Sequence, residues 1–346
     1  MKRTSQLFPQ IPKRNNLRLA FYRAARGKRD RSVVRQFAKK LDRNLENMSE
    51  QLLAGVVPVG QYRQFVIRDP KERVITAPCF SERVLHHAII NICEPYFERW
   101  LIKDTYACRR GKGREAAINR ASVFSRRHRW FSQLDVRKYF DNISHQRLLC
   151  LLRRRFKDLP LLALMRRIIV AFRGESGRGL PIGSLTSQHF ANLYLGHVDR
   201  YAKEQLQLPG YVRYMDDMVL WHDDRKQLER ITQKCTQYLK ENLDLDVKPP
   251  ILNRTDFGIN FLGCRVFPTH TILSRRSRIR WRRKLQDVQR QWAQGLISEH
   301  GLQQRLNSLT AFGVAANTQS WHFRSTVLEQ FQVDDHERLE PGEPGR

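Results

Sequence analysis

The sequence predicts an α+β fold, with antiparallel strands in short hairpins backed by helices and a basic helical segment after them. Three observations carry this. Short runs rich in β-branched and aromatic residues, such as "YRQFVIRD" (62–69), "RVITAP" (73–78) and "GYVRYMDDMVLW" (210–221), sit close together and are broken by turn residues. Between such runs, apolar residues recur at helical spacing. From 274 onward the strand signals stop, and "SRRSRIRWRRKLQDVQR" (274–290) carries eight basic residues against one acid.

In chain order, residues 1–50 are basic and helix-leaning and end near "LAGVVPVG" (53–60). The two extended runs that follow predict a hairpin turning at "DPKE" (69–72). Leu85, Ala88, Ile89 and Ile92 predict a helix that Pro95 interrupts. "WFSQLDV" (130–136) reads as a strand, and Ser144 is placed to cap a helix running through Leu148, Leu149 and Leu152. The glycine-rich loop "RGESGRGLPIGS" (173–184) leads into a helix striped by Phe190, Leu193, Tyr194, Val198 and Tyr201. "GYVRYMDDMVLW" predicts a hairpin, Leu228, Ile231, Cys235 and Tyr238 the helix after it, and "INFLGCRVF" (259–267) one further strand. Leu285, Val288, Trp292 and Leu296, then Leu302, Leu306 and Leu309, continue at helical spacing, and the polar "VDDHERLEPGEPGR" (333–346) is expected to fray.

The 346 residues hold 63 Lys and Arg against 34 Asp and Glu, a formal charge of +29. A hydrophobic fraction of 41% with 18 Phe and 6 Trp belongs to a chain that buries a core, not to a disordered one. A cationic surplus of this size calls for a polyanion, with nucleic acid the first candidate and an anionic membrane surface the second. A membrane span is not supported, because the longest apolar stretch, "LPLLALMRRIIVAF" (159–172), is short and carries Arg166 and Arg167, whereas a spanning helix needs roughly 20 apolar residues. The N-terminus has no apolar h-region and reads as no secretion signal. The six cysteines (79, 93, 108, 150, 235, 264) form no C-x-x-C pair, which fits reduced structural thiols in a cytosolic protein.

Two aspartate pairs stand within "RYMDDMVLWHDD" (213–224). Asp216 and Asp217 lie where two short apolar strands meet, so they repel one another and lose hydration unless a divalent cation relieves both penalties. A polar hairpin turn is the alternative reading. Asp223 and Asp224 precede the helical segment "RKQLERITQKC" and are expected to cap it. The metal reading needs a third carboxylate, which Asp135 supplies at the end of its strand, while Asp141 is expected to help start the next helix. Asp135, Asp216 and Asp217 together would hold two cations roughly 4 Å apart, able to activate a hydroxyl and stabilise a departing pyrophosphate.

The order of motifs resembles the reverse transcriptases: "RVITAPCFSERVLHHAIINICEPYFE", "YACRRGKGREAAI", "LDVRKYFDNI", "GLPIGSLTSQ", "YMDD" and "FLGCRV" follow one another from about residue 60 to 267. "IGSLTSQ" (182–188) is similar to the pattern of reverse transcriptases from diversity-generating retroelements, where many other reverse transcriptases carry Gln in place of Ile182 and Pro in place of Gln188. The resemblance implies a right-hand polymerase: an N-terminal basic helical extension and fingers (1–60), fingers (61–130), palm (131–268, with fingers elements interleaved around 150–180), helical thumb (269–332) and polar tail (333–346). It implies error-prone copying of template RNA into cDNA, with mutations at adenines, in the cytoplasm of a bacterial cell. It also implies two Mg²⁺ ions, dNTPs, an RNA/DNA duplex and a small basic oligomeric accessory protein as partners. Another bacterial reverse transcriptase, from a group II intron, a retron or a phage-defence system, is the competing reading, although the length leaves little room for intron maturase and endonuclease regions. A non-catalytic RNA-binding relative is a third.

By resemblance, Asp135, Asp216 and Asp217 are catalytic metal ligands, joined by the main-chain carbonyl of Val136. Phe140 takes the place of a steric gate against a 2′-hydroxyl, with core packing as its alternative. Arg73, with Lys71, falls where cations meet the triphosphate, and arginine's planar fork suits phosphate oxygens. Arg83 and Arg109 match finger motifs or serve as structural ion-pair partners. Ile182, Gly183 and Gln188 would lie about the nascent base pair, Gln188 equally able to brace its own helix. Lys248 is near the position of a general acid for pyrophosphate. Arg275, Arg276, Arg278, Arg280, Arg282, Arg283 and Lys284 are expected to grip nucleic acid, and Trp281 among them either stacks on it or packs within the thumb.

Overall fold

The computed structural model describes residues 4–68, 72–172 and 177–314. The chain begins with α1 (Arg14–Ala25), α2 (Ser32–Lys39) and α3 (Leu41–Leu53), then the hairpin β1 (Tyr62–Ile67) and β2 (Arg73–Pro78), in antiparallel register Ile67 to Arg73. Next come α4 (Phe80–Trp100), α5 (Arg114–Arg127) and β3 (Trp130–Asp135), followed by the short α6 (Tyr139–Asn142), α7 (His145–Arg153), α8 (Leu159–Ala171) and α9 (Leu185–Arg200). β4 (Gly210–Tyr214) and β5 (Asp217–His222) form the second hairpin, α10 (Arg225–Leu243) follows, and then β6 (Ile251–Arg254), β7 (Ile259–Phe261), β8 (Cys264–Val266) and β9 (Thr271–Leu273). α11 (Arg275–Ala293) and α12 (Glu299–Val314) close the described chain.

The central antiparallel sheet has the order β4-β5-β3-β6 and is covered on both faces. Side chains alternate along a strand, so Met218 and Leu220 of β5 enter one core with α10's Leu228 and Ile231, while Val219 and Trp221 enter another. In that second core Phe124 of α5 lies 5.4 Å from Trp221, and the small sheet β7-β8-β9 adds Ile259, Phe261 and Cys264. Burial on both faces explains why "MVLW" is apolar without alternation. α4 is the central helix of the larger core and packs between α1 and α9. Ser144 caps α7 by accepting from the Arg147 N–H, as its position predicted. No helix among the described residues is long and apolar enough to cross a membrane. All six cysteines are free thiols.

Three expectations need correction. α4 runs unbroken through Pro95 to Trp100, because the packing of Cys93, Phe97 and Trp100 outweighs one lost backbone hydrogen bond. "INFLGCRVF" is not one strand but the hairpin β7–β8, since Leu262 (φ 49°) and Gly263 (φ 80°) both take the left-handed conformation of a tight turn. Asp141 lies inside α6 and does not start α7. The turn expected at 69–72 falls mostly, and the polar tail at 333–346 wholly, outside the described residues.

Candidate active site

β3 ends at Asp135, and in the sheet register Asp135 stands directly opposite Asp217, the first residue of β5. Tyr214 pairs with Asp217 on the other side, leaving Met215 and Asp216 as a two-residue turn. Met215 has φ 56°, so the turn uses a left-handed residue that is not glycine, at a cost of about 1 kcal/mol. The hairpin and the neighbouring strand thereby bring Asp135, Asp216 and Asp217 to one end of the sheet.

Their charges oppose one another. Burial, joined by the field of Asp135, raises the Asp216 carboxyl above the usual range. Although Asp217 keeps an open face, desolvation by its surroundings, then Asp216 and Asp135, push it up to about 6. Lys248 and Arg73 act in the opposite direction on both groups. Arg73, exposed at the start of β2, is near enough for its charge to act on both carboxylates.

Lys248 is placed by backbone pairing. Its N–H donates to the Asp135 carbonyl (2.9 Å), the Arg137 N–H donates to Asp246, and between them Val136 bridges to Val247. This leaves Val136's own carbonyl out of the bridge and sets the Lys248 Nζ 2.5 Å from the Asp135 Oδ2. The register about Pro249 and Pro250, open in the sequence, is therefore fixed by a strand-like contact.

The loop before α9 meets the β1–β2 hairpin. The Thr76 N–H donates to the Ile182 carbonyl (2.7 Å), and Gly183 (φ 119°) has room for no side chain, since a Cβ there would meet Ile75 Cγ2 at 2.8 Å. Ser184 shares hydrogen bonds with His86 Nδ1 (3.1 Å) and with Thr186 Oγ1 (3.0 Å), and His86 Nε2 lies 3.5 Å from the Glu82 carboxylate. Glu82 in turn accepts the N–H groups of Gly60 and Gln61 at the root of the hairpin. This buried chain escaped the sequence reading. Its one signal was the i, i+4 placement of Glu82 and His86 on α4.

Phe140 is half-buried against the larger core and edge-on to Tyr139. Gln188 accepts from the Cys108 thiol (3.5 Å). Arg109 is a structural partner, holding Glu98 and the carbonyls of Ile102 and Thr105, and Arg83 donates to the Pro78 carbonyl. The second aspartate pair divides. Asp224 caps α10 by accepting from Gln227, whereas Asp223 instead binds His128 and the Arg129 N–H, a correction imposed by the proximity of the α5–β3 connection. Lys71 lies outside the described residues. On α11, Ser277, Trp281, Leu285 and Val288 form the buried face. Arg275, Arg276, Arg278, Arg282, Arg283 and Lys284 are exposed, and Arg280 is half-buried. Trp281 packs inward and donates to the Leu309 carbonyl. A hollow of about 580 Å³ separates the β7–β8 turn from Arg275, Arg276 and Arg280.

Residues 35–266 match the family described as reverse transcriptase (RNA-dependent DNA polymerase). The chain belongs to the reverse transcriptase family. It is 26% identical over 284 residues to protein YkfC of Escherichia coli K12, covering 68% of this chain and 72% of that protein. It is 28% identical over 162 residues to the mitochondrial nuclear intron maturase 4 of Arabidopsis thaliana, and 26% over 137 residues to the group II intron-encoded protein LtrA of Lactococcus lactis. These stretches cover 44% and 38% of this chain, but it spans only 20% and 23% of the two proteins. Telomerase from Candida albicans has a TM-score of 0.47 at 11% identity, over 66% of this chain and 50% of that one.

Reverse transcriptases use divalent metal ions. As the side chains stand, no three His, Cys, Asp or Glu among the described residues form a ready metal cluster. The donor set nevertheless fits such ions: three carboxylates at one sheet end, two of them raised chiefly by burial and further by neighbouring carboxylates, are the hard oxygen ligands a divalent cation prefers.

Proposed function

We propose that this reverse transcriptase copies the template RNA of a diversity-generating retroelement into cDNA with frequent errors at adenines. The observation that carries the catalytic reading is the cross-strand pairing of Asp135 with Asp217 beside Asp216. These three residues and the Val136 carbonyl would hold two Mg²⁺ ions. Bound there, the ions would activate the primer 3′-hydroxyl and offset charge on the departing pyrophosphate.

The remaining roles are those the family resemblance implies. Arg73, with Lys71, orients the triphosphate. Phe140 selects against a 2′-hydroxyl. Lys248 can deliver a proton to pyrophosphate once its ammonium exchanges Asp135 for the leaving group. The exposed cations of α11, Arg275 to Lys284, track the backbone of the RNA/DNA duplex.

The mutagenic reading rests on Ile182, Gly183 and Gln188. An aliphatic Ile182 makes no polar contact with sugar or base edge, and apolar sites discriminate less sharply than hydrogen-bonding ones. A small basic accessory protein from the same element is the expected partner. The likeness to intron-encoded proteins favours a second reading, an intron-type or other bacterial enzyme. Primer extension on the element's own RNA with Mg²⁺, with and without the neighbouring small basic protein, separates the two. Errors concentrated opposite adenine support the first, and errors spread evenly over the four bases support the second.

A further inference from the structure

Beneath the Met215–Asp216 turn lies a fully buried ion pair, Arg213 with Asp199, both 0% exposed. An arginine has five N–H donors, and here all five are used. Nε and one Nη2 hydrogen go to the two Asp199 oxygens (both 2.7 Å), and the other Nη2 hydrogen goes to the Asn192 carbonyl (3.1 Å). Nη1 donates to Asn192 Oδ1 (2.9 Å) and to the carbonyl of Met215 (2.9 Å). Asp199 is equally complete, since it also accepts the hydroxyls of Tyr211 (2.6 Å) and Thr105 (3.1 Å).

Four of the five bonds fix the guanidinium to α9, and the fifth reaches the turn. A buried ion pair is seldom more stable than apolar residues of the same volume, so its use here calls for a geometric reason. Met215 supplies one. Its left-handed backbone is strained, and strained residues persist only where their surroundings over-determine them. The carbonyl that Arg213 holds belongs to the peptide leading directly into Asp216.

We infer that Arg213 is a positioning residue, which locks the Met215 peptide and so sets the placement of the Asp216 and Asp217 carboxylates. This rests on the reading of those carboxylates as cation ligands. A lysine cannot substitute, because its three donors lack the planar fork that meets Asp199, Asn192 and Met215 at once.

The test uses the full chain on a poly(rA) template with an oligo(dT) primer, with rates expressed per titrated active site. Arg213→Lys is expected to lower kcat at least 30-fold and to raise the half-saturating Mg²⁺ concentration at least fivefold, with the KM for dTTP within twofold. Asn192→Ala leaves the charge pair intact while removing one of the two acceptors that steady Nη1 against the Met215 carbonyl, and should shift the Mg²⁺ midpoint in the same direction by about threefold. It carries the test if the lysine variant fails to fold. Thr105→Val removes a donor from Asp199 without touching the turn; it should lower the melting temperature but leave kcat and the Mg²⁺ midpoint within twofold. Adding Met215→Gly, which relieves the left-handed strain, should restore at least fivefold of the rate lost in Arg213→Lys. Wild-type kcat and Mg²⁺ midpoint in the folded Arg213→Lys and Asn192→Ala variants would make Arg213 an ordinary core residue. If Asp216→Asn retains the wild-type rate, the carboxylate reading falls and the positioning claim falls with it. An inactive Asp216→Asn beside an unshifted Arg213→Lys removes the positioning claim alone.

Discussion

Replacing Asp217 with Asn is expected to stabilise the metal-free protein at neutral pH. The Asp217 carboxyl is raised from 3.8 to about 6 in the folded state. The folded protein then holds this proton more tightly than the unfolded chain, so stability contributed by the site is lost as pH rises from about 4 to 6. At about 1.4 kcal/mol per pH unit the whole shift would amount to about 3 kcal/mol, but water on the open face of Asp217 reduces this to about 1 kcal/mol. Urea denaturation followed by tryptophan fluorescence, with EDTA present, should show the Asn variant about 1 kcal/mol more stable than wild type at pH 7.5. The two should coincide near pH 3, below the unfolded value of 3.8, where the wild-type carboxyl is mostly protonated in both states. Millimolar Mg²⁺ should close the gap at pH 7.5 by stabilising the wild type preferentially, while primer extension by the variant falls at least 1000-fold. A variant less stable than wild type at pH 7.5 in EDTA, or a gap that persists unchanged at pH 3, would show that burial and the neighbouring carboxylates do not raise Asp217.

Gly183→Ala places a methyl group 2.8 Å from Ile75 Cγ2 and 3.3 Å from the Thr76 carbonyl at φ 119°, and should cost about 2 kcal/mol with at least a fivefold rise in the KM for dNTP. An unchanged melting temperature and KM would mean that the loop does not bear on β2. Trp281→Ala empties a buried site and should cost about 3 kcal/mol, seen as faster amide exchange over 299–311, with RNA affinity held. Weakened RNA binding with unaltered exchange would instead assign the indole to base stacking. Ile182→Gln should lower misincorporation opposite template adenine in sequenced cDNA, and an unaltered error spectrum would sever Ile182 from fidelity.

The sheet end was legible because its signals are local. A run of apolar residues long enough to be covered on both faces, terminated by Asp216 and Asp217, and a separate strand ending in Asp135 announce the same edge. Ser144 and Asp224 were legible as caps because capping is decided within three residues. Features set by tertiary packing were not. The β7–β8 turn hid behind Leu262, which occupies a conformation usually given to glycine or asparagine. Asp223 looked like half of a cap and is claimed by His128, a residue distant in sequence. The Arg213–Asp199 pair has no periodicity at all. Its two members belong to a strand and a helix, and only the sheet's packing on α9 brings them together.

The same packing bears on how fidelity is set. Arg73 begins β2, and three residues later Thr76 of the same strand hydrogen-bonds the Ile182 carbonyl, with Ile75 filling the space that Gly183 leaves. Glu82 clamps the root of the hairpin at Gly60 and Gln61, and His86, whose Nε2 lies 3.5 Å from Glu82 without a hydrogen bond to it, bonds Ser184 of the same loop through Nδ1. Arg73 and the loop proposed to line the nascent base pair are therefore joined through β2. On the proposed reading, a triphosphate that moved the β2 backbone at Arg73 would strain the Thr76–Ile182 hydrogen bond and so reach the Ile182 loop. A polar check at position 182 would act during that movement, and on the proposed reading isoleucine would let it proceed without consulting the edge of the base. The proposed relaxed selection would then trace to a single side chain and would need no general looseness of the site.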